Sequence, residues 1–242
     1  MTRFAPSELI IAPRTASIGA ATVRRTLPYS KKRMVGPFIF VDQMGPEELR
    51  PGQALDVKPH PHIGLSTVTY LFEGELHHRD SLGSSQKIVA GDVNWMTAGS
   101  GIVHSERHTD KTRTQGARLH GLQIWVALPR ELEEAAPFFA HHASSALPSG
   151  KERGVRSKVI AGEYLGLKSP VPVSSPLFYV ELDLEPGVHR LPRPPGECGV
   201  YCVTGRPTVA GAELSDGAMA VLGEGEQFEV LVPWAEVDAM PV

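Results

Sequence analysis

Glycine and proline cut this chain into short pieces, and that constrains its fold more than any other feature. There are 24 Gly and 21 Pro among 242 residues. They recur about every 8–12 residues, the turn spacing of sandwiches and barrels. Neither residue is tolerated well inside a helix, where Gly costs about 1 kcal/mol and Pro about 3 kcal/mol relative to Ala. The runs between them are rich in β-branched and aromatic residues, which suit a pleated, half-buried surface. Strands are therefore predicted at Thr67–Glu73, Gln86–Ala90, Asp92–Thr97, Arg118–Leu128, Leu177–Leu184, Gly199–Thr204 and Gln227–Val232. The best helical stretch is short, Glu131–Ala136, and lies between Pro129 and Pro137. The chain reads as all-β.

Charge and composition narrow the partners. Lys+Arg total 24 against 27 Asp+Glu, a formal net charge of −3. This near balance, with a pI of about 6.4, argues against a nucleic-acid binder, which needs a basic face. No apolar run approaches the roughly 20 residues of a membrane span. The opening MTRFAPSELIIAPRTAS lacks an apolar core followed by a cleavage site. With only two cysteines, Cys198 and Cys202, a disulfide scaffold is excluded, and two buried thiols in a strand are expected. These features together predict a cytoplasmic protein.

The stretch from Pro129 to Gly154 is rich in Ala, Ser, Pro and charge and lacks strand alternation. It reads as a connection between two β domains. Residues 1–130 form the first, 131–154 the linker and 155–242 the second. Each half has a strand ending at a glycine, Phe72-Glu73-Gly74 and Val203-Thr204-Gly205, which suggests two related barrels.

Histidine carries the chemistry. Nine of the ten lie between His60 and His142. Two motifs stand out, His60-Pro61-His62 and His104-Ser105-Glu106, with 42 residues from His62 to His104. Alternate residues of a strand share a face, so each motif projects two donors together. If the two strands are neighbours, three imidazoles and one carboxylate converge. That set suits a borderline divalent metal. One carboxylate against a dication leaves a local charge near +1, which favours an anionic oxygen ligand such as an enolate or phenolate. An octahedral ion held by four side chains keeps two positions open, as a catalytic site requires.

The segments VGPFIFVDQMGP, HPHIGLSTVTYLFEG, GDVNWMTAGSGIVHSE, LHGLQIWVALP, AGEYLGLKSPV and AVLGEGEQFEV resemble the pirins, a branch of the cupin superfamily. The resemblance runs through nearly the whole chain. It implies two cupin β-barrels packed face to face, with Fe(II) in the first held by His60, His62, His104 and Glu106. The donor set also suits Mn, Ni, Co, Cu or Zn. The ligand Glu that many cupins carry four residues after the second histidine is replaced here by Ser66, a slot that pirins do not use as a ligand. No HxH or HxE pair occurs in the second half, so that barrel is expected to be metal-free. The chain ends at Pro241-Val242 soon after its last strand motif, which implies a shortened second barrel.

Some pirins resemble quercetin 2,3-dioxygenases. This implies a metal-dependent enzyme that opens a flavonol with O2, with Glu106 as catalytic base and a small aromatic molecule as substrate. The alternative is a non-enzymatic, redox-sensing iron protein that regulates a protein partner, a role the resemblance implies because eukaryotic relatives look like transcription cofactors. Another cupin chemistry is a third option, because fold does not fix function.

The remaining motifs have plainer expectations. His77 and His78 are adjacent and cannot share a face; one could reach the cavity, but a solvated surface is favoured. His108 could extend the ligand face. His120 belongs to the core, and His141 and His142 to an exposed linker. Trp95 and Met96 are core residues. Gly99 and Gly101 serve a tight turn. Arg24-Arg25 and Lys31-Lys32-Arg33 are solvated loop charge.

Overall fold

The computed structural model describes residues 2–18 and 21–234. It is built almost wholly of antiparallel strands. The expected chain end at Pro241-Val242 lies outside the described residues. No helix among the described residues is long and apolar enough to cross a membrane.

The chain divides into two compact units. The larger comprises Pro13–Pro148 and Val159–Val180. Its main sheet has seven strands in the order Phe138–His142, Val93–Thr97, Leu65–Glu73, Ala117–Ala127, Phe38–Leu49, Ala21–Leu27 and Arg14–Ile18. A second sheet runs Val57–His62, Ile102–Arg107, Glu75–Asp80 and Ser85–Val89. Between them Leu71, Met44 and Leu119 of the first sheet pack with Leu76 and Ile88 of the second. Each strand thus turns alternate apolar residues toward a shared core.

Two features of the larger unit depart from the sequence reading. Phe138–His142, inside the expected linker, is a strand that pairs with Val93–Thr97. The helix expected at Glu131–Ala136 shrinks to a single 3-10 turn, Arg130–Leu132; the Ala135 carbonyl accepts from the Ser100 backbone N–H instead, and Pro137 disfavours helical backbone at Ala136. The one α-helix among the described residues is Asp110–Gln115. Its Thr109 hydroxyl accepts from the Thr112 backbone N–H, and Gly116 ends it at φ 77°. Gly99 answers to its expectation of a tight turn. Its φ is +50°, and a Cβ there would come within 2.0 Å of the Ala135 carbonyl oxygen, so only glycine fits.

The smaller unit comprises the described parts of Met1–Ala12, Ser149–Lys158 and Glu181–Val242. Ser7–Ile11 pairs with Met219–Leu222, which pairs in turn with Cys198–Tyr201. The N-terminal strand therefore belongs with the C-terminal part of the chain, and a boundary drawn at residue 130 does not describe this division. Both cysteines are free and buried. Burial pushes each thiol up to about 11, which keeps them protonated and unreactive at neutral pH.

Candidate metal centre

The geometry starts from proline. Val57–His62 is the edge strand of the four-stranded sheet. Pro59 and Pro61 have no N–H to give to a ladder, so the edge is where such a strand can sit. It pairs with Ile102–Arg107, with His104 opposite His60 and Ile102 opposite His62. The register slips between His104 and Glu106, which falls opposite Val57. On the other side of Ile102–Arg107, Asp80 lies opposite His104 and His78 opposite Glu106. His104 thus stands on a central strand between two polar neighbours.

The histidine rings close on one another. Centroids lie 4.4 Å apart for His60 and His104, 4.8 Å for His60 and His62, and 5.0 Å for His62 and His104. One nitrogen from each falls within 4.8 Å of the others. Glu106 groups at the same limit with His104 and His78 rather than with His60 and His62. Its Oε1 is 2.8 Å from the Thr69 hydroxyl, whose single hydrogen faces both this carboxylate oxygen and Gln123 Oε1, 2.9 Å away. His62 and His104 are buried. Burial, then the neighbouring histidines, lowers His62 to about 4 and His104 to about 3. Glu106 opposes the shift at His62 and Asp80 opposes it at His104, each too weakly to reverse it. Both imidazoles are unprotonated donors at neutral pH.

This donor set fits a divalent cation. His60 Nδ1 lies 2.9 Å from the Lys58 carbonyl. A carbonyl only accepts, so Nδ1 carries the proton and Nε2 is left with its lone pair. That nitrogen sits 3.1 Å from His104 Nε2. Two nitrogens each about 2.1 Å from one ion, at right angles, lie about 3 Å apart. Two nitrogen lone pairs this close repel unless a cation or a proton lies between them.

His62 also meets Trp125 edge-on, at 5.1 Å between centroids. Trp125 stacks on Phe40 at 4.1 Å, and the Arg25 guanidinium lies 4.4 Å over Phe40. Arg25 is not solvated loop charge. It holds Asp42 through two 2.7 Å hydrogen bonds.

The other histidines sort themselves by strand parity. His108 is buried and its Nδ1 bonds to Leu55, away from the donor group. His120 is buried against Gln43 Nε2 at 2.6 Å. His141 bonds to Asn94 from within a strand, so it is not on an exposed linker. His77 faces outward to Ser85. His78, expected at the surface, is 3% exposed. It shares parity with the buried Leu76, the signal that could have placed it inside.

These features define a β-barrel protein of the cupin-like all-β class with a histidine-rich candidate metal centre. The chain belongs to the pirin family. The Pirin family model matches residues 20–126. A pirin-like protein of Caulobacter vibrioides is 52% identical over 223 residues, covering 90% of this chain and 77% of its own. Human pirin is 35% identical, covering 92% and 76%. The crystal structure of a quercetin 2,3-dioxygenase from Acinetobacter baumannii superposes with a TM-score of 0.87 at 39% identity, covering 93% of this chain and 75% of that one.

Proposed function

We propose that this pirin is a metal-dependent dioxygenase that opens a flavonol such as quercetin with O2, using Fe(II) held by His60, His62, His104 and Glu106. The observation that carries the reading is the 3.1 Å approach of two Nε2 atoms beside a third imidazole and a carboxylate. The 39% identity to a quercetin 2,3-dioxygenase supports the reaction class. The bound ion would supply Lewis acidity and a route for electrons to O2.

The chain's own residues supply the rest. The unprotonated state of His62 and His104 leaves their lone pairs available at neutral pH. Glu106 takes the proton of the substrate's 3-hydroxyl, which makes the ring electron-rich enough to react with O2. Thr69 fixes Glu106 by donating to Oε1, so the carboxylate is oriented before substrate arrives. Trp125, beside His62 and backed by Phe40 and Arg25, offers a flat surface suited to an aromatic ligand.

The test is aerobic incubation of the Fe(II)-loaded chain with quercetin. We expect loss of the flavonol absorbance and release of carbon monoxide. Glu106→Gln should lower the rate by at least about 100-fold, the scale of general-base loss. A metal-loaded native protein that leaves quercetin unchanged contradicts the reading.

A further inference from the structure

The geometry points to His78 and Asp80 as a positioning relay that sets which nitrogen His104 offers to the metal. The inference rests on the metal reading above. His104 has two ring nitrogens with different neighbours. Nε2 faces His60 Nε2 at 3.1 Å, and Nδ1 lies 3.4 Å from His78 Nδ1. If Nε2 is the donor to the ion, an unprotonated imidazole must carry its hydrogen on Nδ1. That N–H donates to His78 Nδ1, which must then be a lone pair. The His78 proton is left on Nε2, and Nε2 lies 2.9 Å from Asp80 Oδ2, an acceptor. The three residues give one consistent direction of donation, from His104 through His78 to Asp80.

Both relay members are held in place. The His78 ring stacks on Phe139 at 4.3 Å and 14°, and the residue is 3% exposed. Asp80 Oδ1 accepts from the Leu82 and Ser84 backbone N–H groups at 2.9 and 3.0 Å. The loop thus turns Oδ2 toward His78. A carboxylate at the end of the chain can only accept, so it fixes the polarity of every bond before it. Sequence parity delivers the arrangement, since His78 and Asp80 are two apart on a strand and lie opposite Glu106 and His104.

The experiment is titration of the full chain with Co(II), following affinity and the visible ligand-field bands. Asp80→Asn replaces one oxygen by an N–H donor, which forces His78 to turn its proton toward His104. We expect affinity to fall 10- to 100-fold, the range for such outer partners, and the bands of the saturated protein to shift. His78→Phe keeps the stack on Phe139 and removes the acceptor, with the same expected outcome. His78→Asn restores an acceptor near the Nδ1 position and should recover most of the affinity lost in His78→Phe. A merely structural role would not move the bands at saturation. Native affinity and native bands in both Asp80→Asn and His78→Phe would overturn the relay while the metal reading stands. A native chain that binds no more Co(II) than His60→Ala would overturn both.

Discussion

The two units of this chain bury their polar side chains in opposite ways. The larger unit places His62, His78, His104, Glu106, Thr69 and Gln123 inside, most of them linked to one another. The smaller unit fills its interior with residues such as Val209, Leu214, Ala220 and the two cysteines. Its single histidine, His189, bonds to the Glu185 carbonyl at 2.7 Å. Among the described residues, both groups of three metal-type donors fall in the larger unit. Burying several polar groups costs stability unless each is satisfied, and an apolar interior of the same volume is usually no worse. A unit that keeps such an array does so for chemistry. A unit that replaces it with Val, Leu and Ala provides a packed scaffold.

Substitution at the donors should break this contrast most strongly. His104→Ala removes the residue common to both donor groups and should abolish stoichiometric metal and flavonol turnover, read by elemental analysis and absorbance. Next comes packing. Leu71→Ala, fully buried in the larger unit's core, should cost about 2–5 kcal/mol by denaturant unfolding. Gly99→Ala should cost about 1–3 kcal/mol from its left-handed backbone alone, with more from the clash at the Ala135 carbonyl.

Acid gives a subtler effect with a fixed sign. His62 and His104 have folded values near 4 and 3, against about 6.5 in an unfolded chain. Below pH 6.5 the unfolded chain takes up protons that the folded chain refuses. The metal-free protein should therefore lose stability as pH falls from about 6.5, less steeply below about 4 where His62 begins to protonate, and level off only below about 3. Bound metal should persist at pH 5 and dissociate below about 4, as protons compete for the same lone pairs. Thermal unfolding across pH, with and without metal, measures both. The smallest effect sharpens the comparison from the other side. His189→Gln should leave metal content unchanged.

The sequence made the donor motifs visible because their period of two needs only strand geometry. Glycine and proline punctuation likewise located Leu65–Glu73, Val93–Thr97 and Ala117–Ala127 to within about two residues. The rest depended on contacts that local pattern does not encode. Ser7–Ile11 pairs with Met219–Leu222 across more than 200 residues, and nothing in SELII names that partner. Asp110–Gln115 is six polar residues with no apolar face, so its helix rests on the Thr109 cap and the Gly116 stop. Phe138–His142 lacks alternation because all five residues are half-buried. His78 was ambiguous beside His77 until the inward face of Leu76 settled its parity.

The most direct measurement is an anomalous difference map at the metal edge from crystals of the purified chain. We predict one strong peak in contact with the Nε2 atoms of His60 and His104, and no comparable peak in the smaller unit. A map without density there, with those two nitrogens sharing a proton instead, would contradict the metal centre on which this account rests.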